Sequence, residues 1–434
     1  MQTRFLARPA RVRRATVALV LILVPALGRA QVPIPFAGFP DSREAPPVGW
    51  RGNIFRLSQQ YPTTVPPDED YPWKHVDPHT QTEDYLRAVL AYAFEGNEDV
   101  DWNVASNKVR TWYNAPWLHW GRNGREFIHG LTYERVSQPG ELSTLQTQAF
   151  QNWAIGYYNA RGAYAIGQVW RVSASPNPAA ATFLEGSVSI KLLYTQAPVD
   201  QVPYLVGSKE WDANIYSNVS IPTNPFNTRV VQRLRLLQVD LAVKDSRSVE
   251  TGWVFGTFVY NGKLPGSDWK DRLVPVGAMW GNDPDLTVAA TRKGMSPHQD
   301  WINPSLDVPF QHLGWAGRLN GPVDNQISSC LSCHGTAQWP ANAPLVPPRG
   351  ISPDSVEWMK WFRNIKGSSQ TFSPGTTSLD YSLQLAAGIS NFYEWKTLTE
   401  SLGGNKVSEV HPLELTVPLS HIISRDVDQL AEPR

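Results

Sequence analysis

The chain has 434 residues, 41% hydrophobic and 18% charged, with 36 prolines and 31 glycines. These proportions exclude a disordered or fibrous chain and predict a globular, loop-rich protein long enough to bury a large core. Basic and acidic side chains balance at 39 each. No concentrated basic run follows the N-terminal segment, which speaks against nucleic-acid binding.

Arg4, Arg8, Arg11, Arg13 and Arg14 precede an apolar run from Ala15 to Gly28, and Gly28-Arg29-Ala30 offers small residues at a cleavage site. The pattern predicts an export signal over 1–30, cleaved near Ala30. The apolar run is too short for a membrane anchor and is broken by Pro25, and no later stretch has spanning length. Removing 1–30 takes away six arginines and no acid, leaving 33 basic against 39 acidic side chains.

Residues 31 to 80 are rich in proline and tyrosine and are expected to run extended over the surface. Within them His75, Asp77 and His79 alternate, a metal-type spacing on a strand that Pro78 weakens. Thr80 with Glu83 predicts a capping box for a helix whose stripe is Leu86, Val89, Leu90, Ala93 and Phe94, stopped at Gly96-Asn97. A second helix is expected over Leu142 to Ala154. The stretch from Trp117 through His119, Trp120 and Arg122 to Arg125, His129 and Tyr133 groups side chains suited to a ligand pocket or to simple aromatic packing.

From about 160 to 280 the apolar period becomes two: Val188, Ile190 and Leu192; then Leu237, Val239, Leu241 and Val243; then Trp253, Phe255, Thr257 and Val259. Ala163 to Val172 reads as a further strand. These predict an antiparallel sheet or sandwich, with too few helical connections for a βαβ arrangement. Helices are expected again near 353–364 and 380–395. The fold class is therefore α+β: a β-rich region over 31–300 with an extended N-terminal segment and helix, then a small, mostly helical segment over 301–434.

The chain's two cysteines stand three positions apart with histidine next: Cys330-Leu331-Ser332-Cys333-His334. This is the C-x-x-C-H signature of covalent haem attachment. On a short helix, positions i and i+3 share a face, so both thiols meet the vinyl groups of one porphyrin and the next imidazole turns onto the iron. Asp324 is the expected N-cap, Ile327 and Leu331 share a face, and Gly335 stands at the helix end. A thioredoxin-like dithiol expects a βαβ context missing around 310–345, and a zinc site needs a second ligand pair. A disulfide across two intervening residues is strained and leaves His334 unexplained.

Through Cys330, Cys333, His334 and the following Gly335, the chain resembles the c-type cytochrome superfamily from around Gly321 to the C-terminus. The resemblance implies one covalent haem c, a periplasmic or cell-surface setting and one-electron chemistry. In the small members of that superfamily a downstream methionine completes the iron, and the only one here is Met359. It falls in a segment read as a helix capped by Ser352 with Pro353 first, where Val356 and Phe362 at helical spacing also make it a core residue. Met295, His298, His312, His411 and His421 are lesser candidates, and an iron with no protein ligand on that side is a further reading.

Trp315, Trp339, Trp358 and Trp361 are candidates to wall the porphyrin, or core residues. Arg318, Arg349 and Arg363 are candidates for the propionates, or surface residues. The expected function is electron exchange with a redox partner protein or a small-molecule donor or acceptor, with no nucleic acid and no membrane span after signal removal. The alternatives are a haem-dependent oxidoreductase, oxidase or peroxidase-like, whose substrate pocket lies in the β-rich region, and a haem-based ligand sensor.

Overall fold

Strands with apolar residues at every second position build one antiparallel sheet of eight strands. The structure, a computed structural model, describes residues 38–121, 124–216, 228–308 and 310–401. The expected export segment, Arg122, His411 and His421 lie outside the described residues.

In chain order the elements are α1 (Thr82–Phe94), β1 (Thr132–Ser137), β2 (Phe150–Tyr158), α2 (Ala160–Val169), β3 (Val188–Thr195) and β4 (Glu210–Tyr216). Then come β5 (Arg229–Lys244), β6 (Trp253–Tyr260), β7 (Leu273–Met279), α3 (Val288–Thr291) and β8 (Asp300–Ile302). They are followed by α4 (Cys330–His334), β9 (Gln338–Trp339), β10 (Thr377–Ser378) and α5 (Leu383–Ser401). The sheet runs β1-β2-β3-β5-β6-β7-β8. The early half of β5 pairs with β4 and its later half with β3. These eight strands form one sheet, and β9 pairs antiparallel with β10 in a separate two-stranded one.

Alternation gives the sheet two faces. Val188, Ile190, Leu192, Val239, Leu241, Val243, Val254 and Phe258 fill one and are fully buried. Helix α1 packs there: Leu86 lies where a side chain at Gly256 would stand, 2.3 Å from its missing Cβ, so only glycine admits the helix so closely. The opposite face carries Tyr158, Lys191, Gln238, Asp240, Lys244, Phe255 and Thr257, and the later chain covers it. Ser382 meets Tyr158, Asp324 meets Gln238, Asp380 meets Lys244, and His334 meets Phe255. One apolar cluster runs from Phe39 to Phe392 and takes in Leu331 of α4.

Several local expectations are corrected. Of the strand expected over Ala163 to Val172, Ala163–Val169 lies in helix α2 and the rest follows its C-cap Trp170: Asn159 caps the helix by accepting from the Gly162 N–H at 3.0 Å, and Ala163, Ile166 and Val169 form its buried stripe. The expected helix over Leu142–Ala154 is a turn followed by β2. The Gln146 side chain holds the turn, accepting from the Leu142 N–H and donating to the Gln148 carbonyl, and β2 then buries Trp153, Ile155 and Tyr157 on one face.

Helix α1 has Gln81 at its N-cap and no side-chain cap bond, so the Thr80–Glu83 capping box is not formed. Residues 353–364 contain only a 3-10 turn, Trp358–Phe362: Asp354 takes a left-handed φ of 62° and caps α3 instead, accepting from the Val288 and Ala289 N–H groups. The helix expected over 380–395 begins at Leu383, because Asp380 and Tyr381 adopt φ of 48° and 69°. Residues 38–80 contain one 3-10 turn, Pro72–His75, and are otherwise irregular, yet Leu57, Tyr61, Tyr71 and Trp73 are buried and do not merely run over the surface. Among the described residues, no helix is long and apolar enough to cross a membrane.

Candidate haem-attachment site

Helix α4 is one turn long, and its own sequence closes it. Ser329 is the N-cap, where Asp324 was expected. Its Oγ accepts from the Ser332 N–H at 3.1 Å, and Ser332 Oγ accepts from the Ser329 N–H at 2.7 Å, a reciprocal capping box. Leu331 is buried with its N–H against Met279 Sδ at 3.4 Å, and Gly335 is the C-cap. Because the helix starts at Cys330, Ile327 lies outside it and packs in a second small cluster with Trp358, Trp361 and Phe362.

Both cysteines are free and half-buried. Cys330 Sγ lies 4.0 Å from Thr257 Oγ1 on β6. Burial, reinforced by the carboxylates of Asp324 and Asp240, pushes the Cys330 thiol well up, and burial raises Cys333 to about 12. Both sulfurs are thus protonated thiols, unlike the thiolates of metal or redox dithiol sites.

His334 carries the clearest signal. Its Nδ1 lies 2.9 Å from the Tyr381 carbonyl oxygen, an acceptor only, so Nδ1 bears the proton and donates. Nε2 then holds the free lone pair and makes no hydrogen bond among the described residues. Burial pushes the imidazole down to about 4, keeping it neutral. A neutral ring anchored by Nδ1–H to a carbonyl, with Nε2 open, is the state in which histidine ligates iron.

The anchor is itself held. Tyr381 OH donates to the Ile365 carbonyl at 2.7 Å, and neighbouring Asp380 accepts from Lys244 Nζ and Trp253 Nε1, each at 2.8 Å. The His334 ring packs on Phe255 with centroids 4.8 Å apart.

Around the motif the sheet presents three polar side chains in register between two glycines. Gly156, Lys191, Asp240, Thr257 and Gly277 are successive partners across β2, β3, β5, β6 and β7. Gln238 Nε2 donates to both Asp240 oxygens, at 2.8 and 3.0 Å, and to Asp324 at 3.1 Å. Thr257 Oγ1 donates to Asp240 at 2.9 Å, and Lys191 Nζ pairs with Glu134 at 3.0 Å. Cys330, Cys333, His334, Lys191, Glu134, Asp240 and Asp324 all keep partial exposure deep within the fold, as side chains lining a recess do.

Burial and the neighbouring Asp324 lift Asp240 to about 7, and burial raises Asp324. Burial alone would lower Lys191, but Glu134, Asp240 and Asp324 more than offset it. Apart from the two cysteines and His334, none of these groups is visible as a site in the sequence. Polar residues alternating with apolar ones along a strand read as a solvent face, and only the structure brings Lys191 and Asp240 beside the cysteines.

The remaining expected groups are dispersed. Met359 is half-buried on the 3-10 turn that packs against α4, with its side chain in the second small cluster. Met295 is exposed, His298 pairs with Asp283, and His312 Nδ1 lies 3.1 Å from the Phe310 carbonyl oxygen. Trp315 packs on Trp358, Trp361 on Phe372 and Trp339 on Tyr393.

Arg318 is neither a surface residue nor a free propionate partner. It is fully buried and donates to the carbonyls of Asn282, Asp283, Leu286 and Trp315, binding two loops together. Arg363 donates to the Lys360 and Phe372 carbonyls, and Arg349 is exposed.

Trp117 packs on Phe392 and Trp395 of α5, His119 is buried and pushed down to about 3, and His129 stacks on Trp211. Buried Arg125 donates to the Ala115 carbonyl, and Tyr133 OH bonds Glu126. His75 pairs with Asp70 and His79 packs on the Trp280 ring. Among the described residues, no group of three or more His, Cys, Asp or Glu side chains stands in metal-holding geometry. Compared with known protein families, curated proteins and solved structures, the chain matches none.

Proposed function

We propose that this chain is an exported, periplasmic protein carrying one covalent haem c. In this reading thioethers form at Cys330 and Cys333, and His334 Nε2 is the proximal ligand. One observation carries it: His334 is fixed through Nδ1–H to the Tyr381 carbonyl and leaves Nε2 open, on the same single helical turn as two free thiols and directly after the second of them. The bound group supplies one-electron chemistry. The protein's own part is to orient the imidazole through Tyr381 and Phe255 and to keep both sulfurs protonated until they are alkylated. As a c-type cytochrome segment, 301–434 would exchange electrons with a redox partner protein or a small-molecule donor or acceptor.

A haem-dependent oxidoreductase is the second reading, favoured by the Lys191, Glu134, Asp240 and Asp324 network, since a simple carrier needs no titratable groups in its core. Visible spectra of the matured protein, oxidised and reduced, with and without carbon monoxide, separate the two. An electron carrier gives a low-spin ferrous spectrum indifferent to carbon monoxide. A shifted spectrum on adding the gas overturns the carrier reading in favour of the oxidoreductase or a ligand sensor.

A further inference from the structure

The recess beside Cys330 holds more carboxyl groups than cations. Glu134, Asp240 and Asp324 face a single ammonium, Lys191, whose ion pair goes to Glu134. A second cation, Arg135 of β1, also acts on Asp324 but is itself paired with Glu141. Cys330, Cys333 and His334 of α4 are neutral, and Gln238 and Thr257 are polar but uncharged. Full ionisation would leave the recess with two uncompensated negative charges, which burial penalises heavily. Asp240 and Asp324 share one amide donor, Gln238 Nε2, so the two carboxyls form one unit that holds or releases a proton jointly.

We propose that Asp240 and Asp324 form a redox-linked proton site that takes up one proton when the neighbouring haem is reduced. The inference rests on the haem reading above. A bound haem would supply the one-electron step, taking its electron from an external one-electron donor that is itself oxidised by one electron. A carboxylate oxygen of the Asp240–Asp324 pair accepts a proton from solvent, forming one O–H bond, so the recess gains no net charge. The thioether edge is the side on which the coupling acts, because Thr257 bridges Asp240 to Cys330 at 2.9 and 4.0 Å. Burial and the neighbouring Asp324 lift Asp240 to about 7, where the coupling works in either direction, and burial also raises Asp324.

The test is the midpoint potential of the matured holoprotein against pH, measured by spectroelectrochemistry with dye mediators. The reduction equilibrium is expected to weaken about three- to tenfold per pH unit through neutrality, the tenfold limit being 59 mV for one electron. Asp240→Asn and Asp324→Asn keep the shape and the Gln238 contact, and each is expected to flatten the dependence to below about twofold per unit with haem content unchanged.

Should either variant fail to fold, the reduced-minus-oxidised infrared spectrum of the unaltered protein supplies the readout: a protonated-carboxyl band gained on reduction supports the site, and its absence overturns it. Haem present with a flat profile, or a slope unchanged in both variants, overturns the coupling alone. No covalent haem overturns both the coupling and the reading beneath it.

Discussion

On one face of the sheet stand Val188, Ile190, Leu192, Val239, Leu241, Val254 and Phe258, and on the other, at alternate positions of the same strands, stand Lys191, Gln238, Asp240 and Thr257. Both faces are covered by protein. The first needs only complementary shape, and Leu86 of α1 against Gly256 provides it. The second buries charge, which costs several kcal/mol per unpaired ion, so its polar row needs a compensating network and a use. On the haem reading proposed above, the α1 face is scaffold and the Cys330 face is the site.

The largest test of that division is Cys330→Ala together with Cys333→Ala. Covalent haem is expected to be lost entirely while the far-ultraviolet circular dichroism of the sheet persists. Collapse of the sheet signal would show that the second face is also scaffold.

Leu86→Ala should do the opposite, costing about 2–5 kcal/mol in denaturant unfolding through a cavity on Gly256, with unchanged haem per folded chain. Loss of haem without loss of stability would invert the assignment of faces.

Asp300 offers a milder probe. Among the described residues its carboxylate accepts the Leu319 N–H alone, at 2.9 Å, and burial raises it to about 7. A raised carboxyl destabilises the fold as pH climbs from the unfolded value of about 4 toward 7, where the folded state alone still holds the proton. Asp300→Asn should therefore be neutral below about pH 4 and stabilising by roughly 1–3 kcal/mol at about pH 8. A stabilisation equal at both pH values would refute the titration.

Smallest is Met359→Ala, expected to cost about 1–2 kcal/mol from the second small cluster and to leave the visible spectrum unaltered. Loss of a low-spin spectrum would place this methionine on the iron.

The strands at Val188–Thr195 and Trp253–Tyr260 and the helix at Thr82–Phe94 were legible because each repeats its apolar residues at one clear period. Ala163 to Val169 misled because small residues every second position mimic a strand, whereas the Asn159 cap marks a helix. The 353–364 segment carried a good helix start in Ser352-Pro353, but Asp354 is recruited to cap α3, a contact far away in sequence. The helical turn over Cys330-Leu331-Ser332-Cys333-His334 was legible, though not its Ser329 cap. Its setting was not, since Tyr381, Phe255, Lys191 and Asp240 reach it from four separate segments and none has a sequence signature.

Peptide mapping by mass spectrometry, on protein matured in a host competent for cytochrome biogenesis, reads the proposed thioether bonds themselves. The expected result is a single peptide spanning Cys330 to His334 that carries one porphyrin bonded through both sulfurs. The same peptide recovered from colourless protein with two unmodified thiols would contradict it.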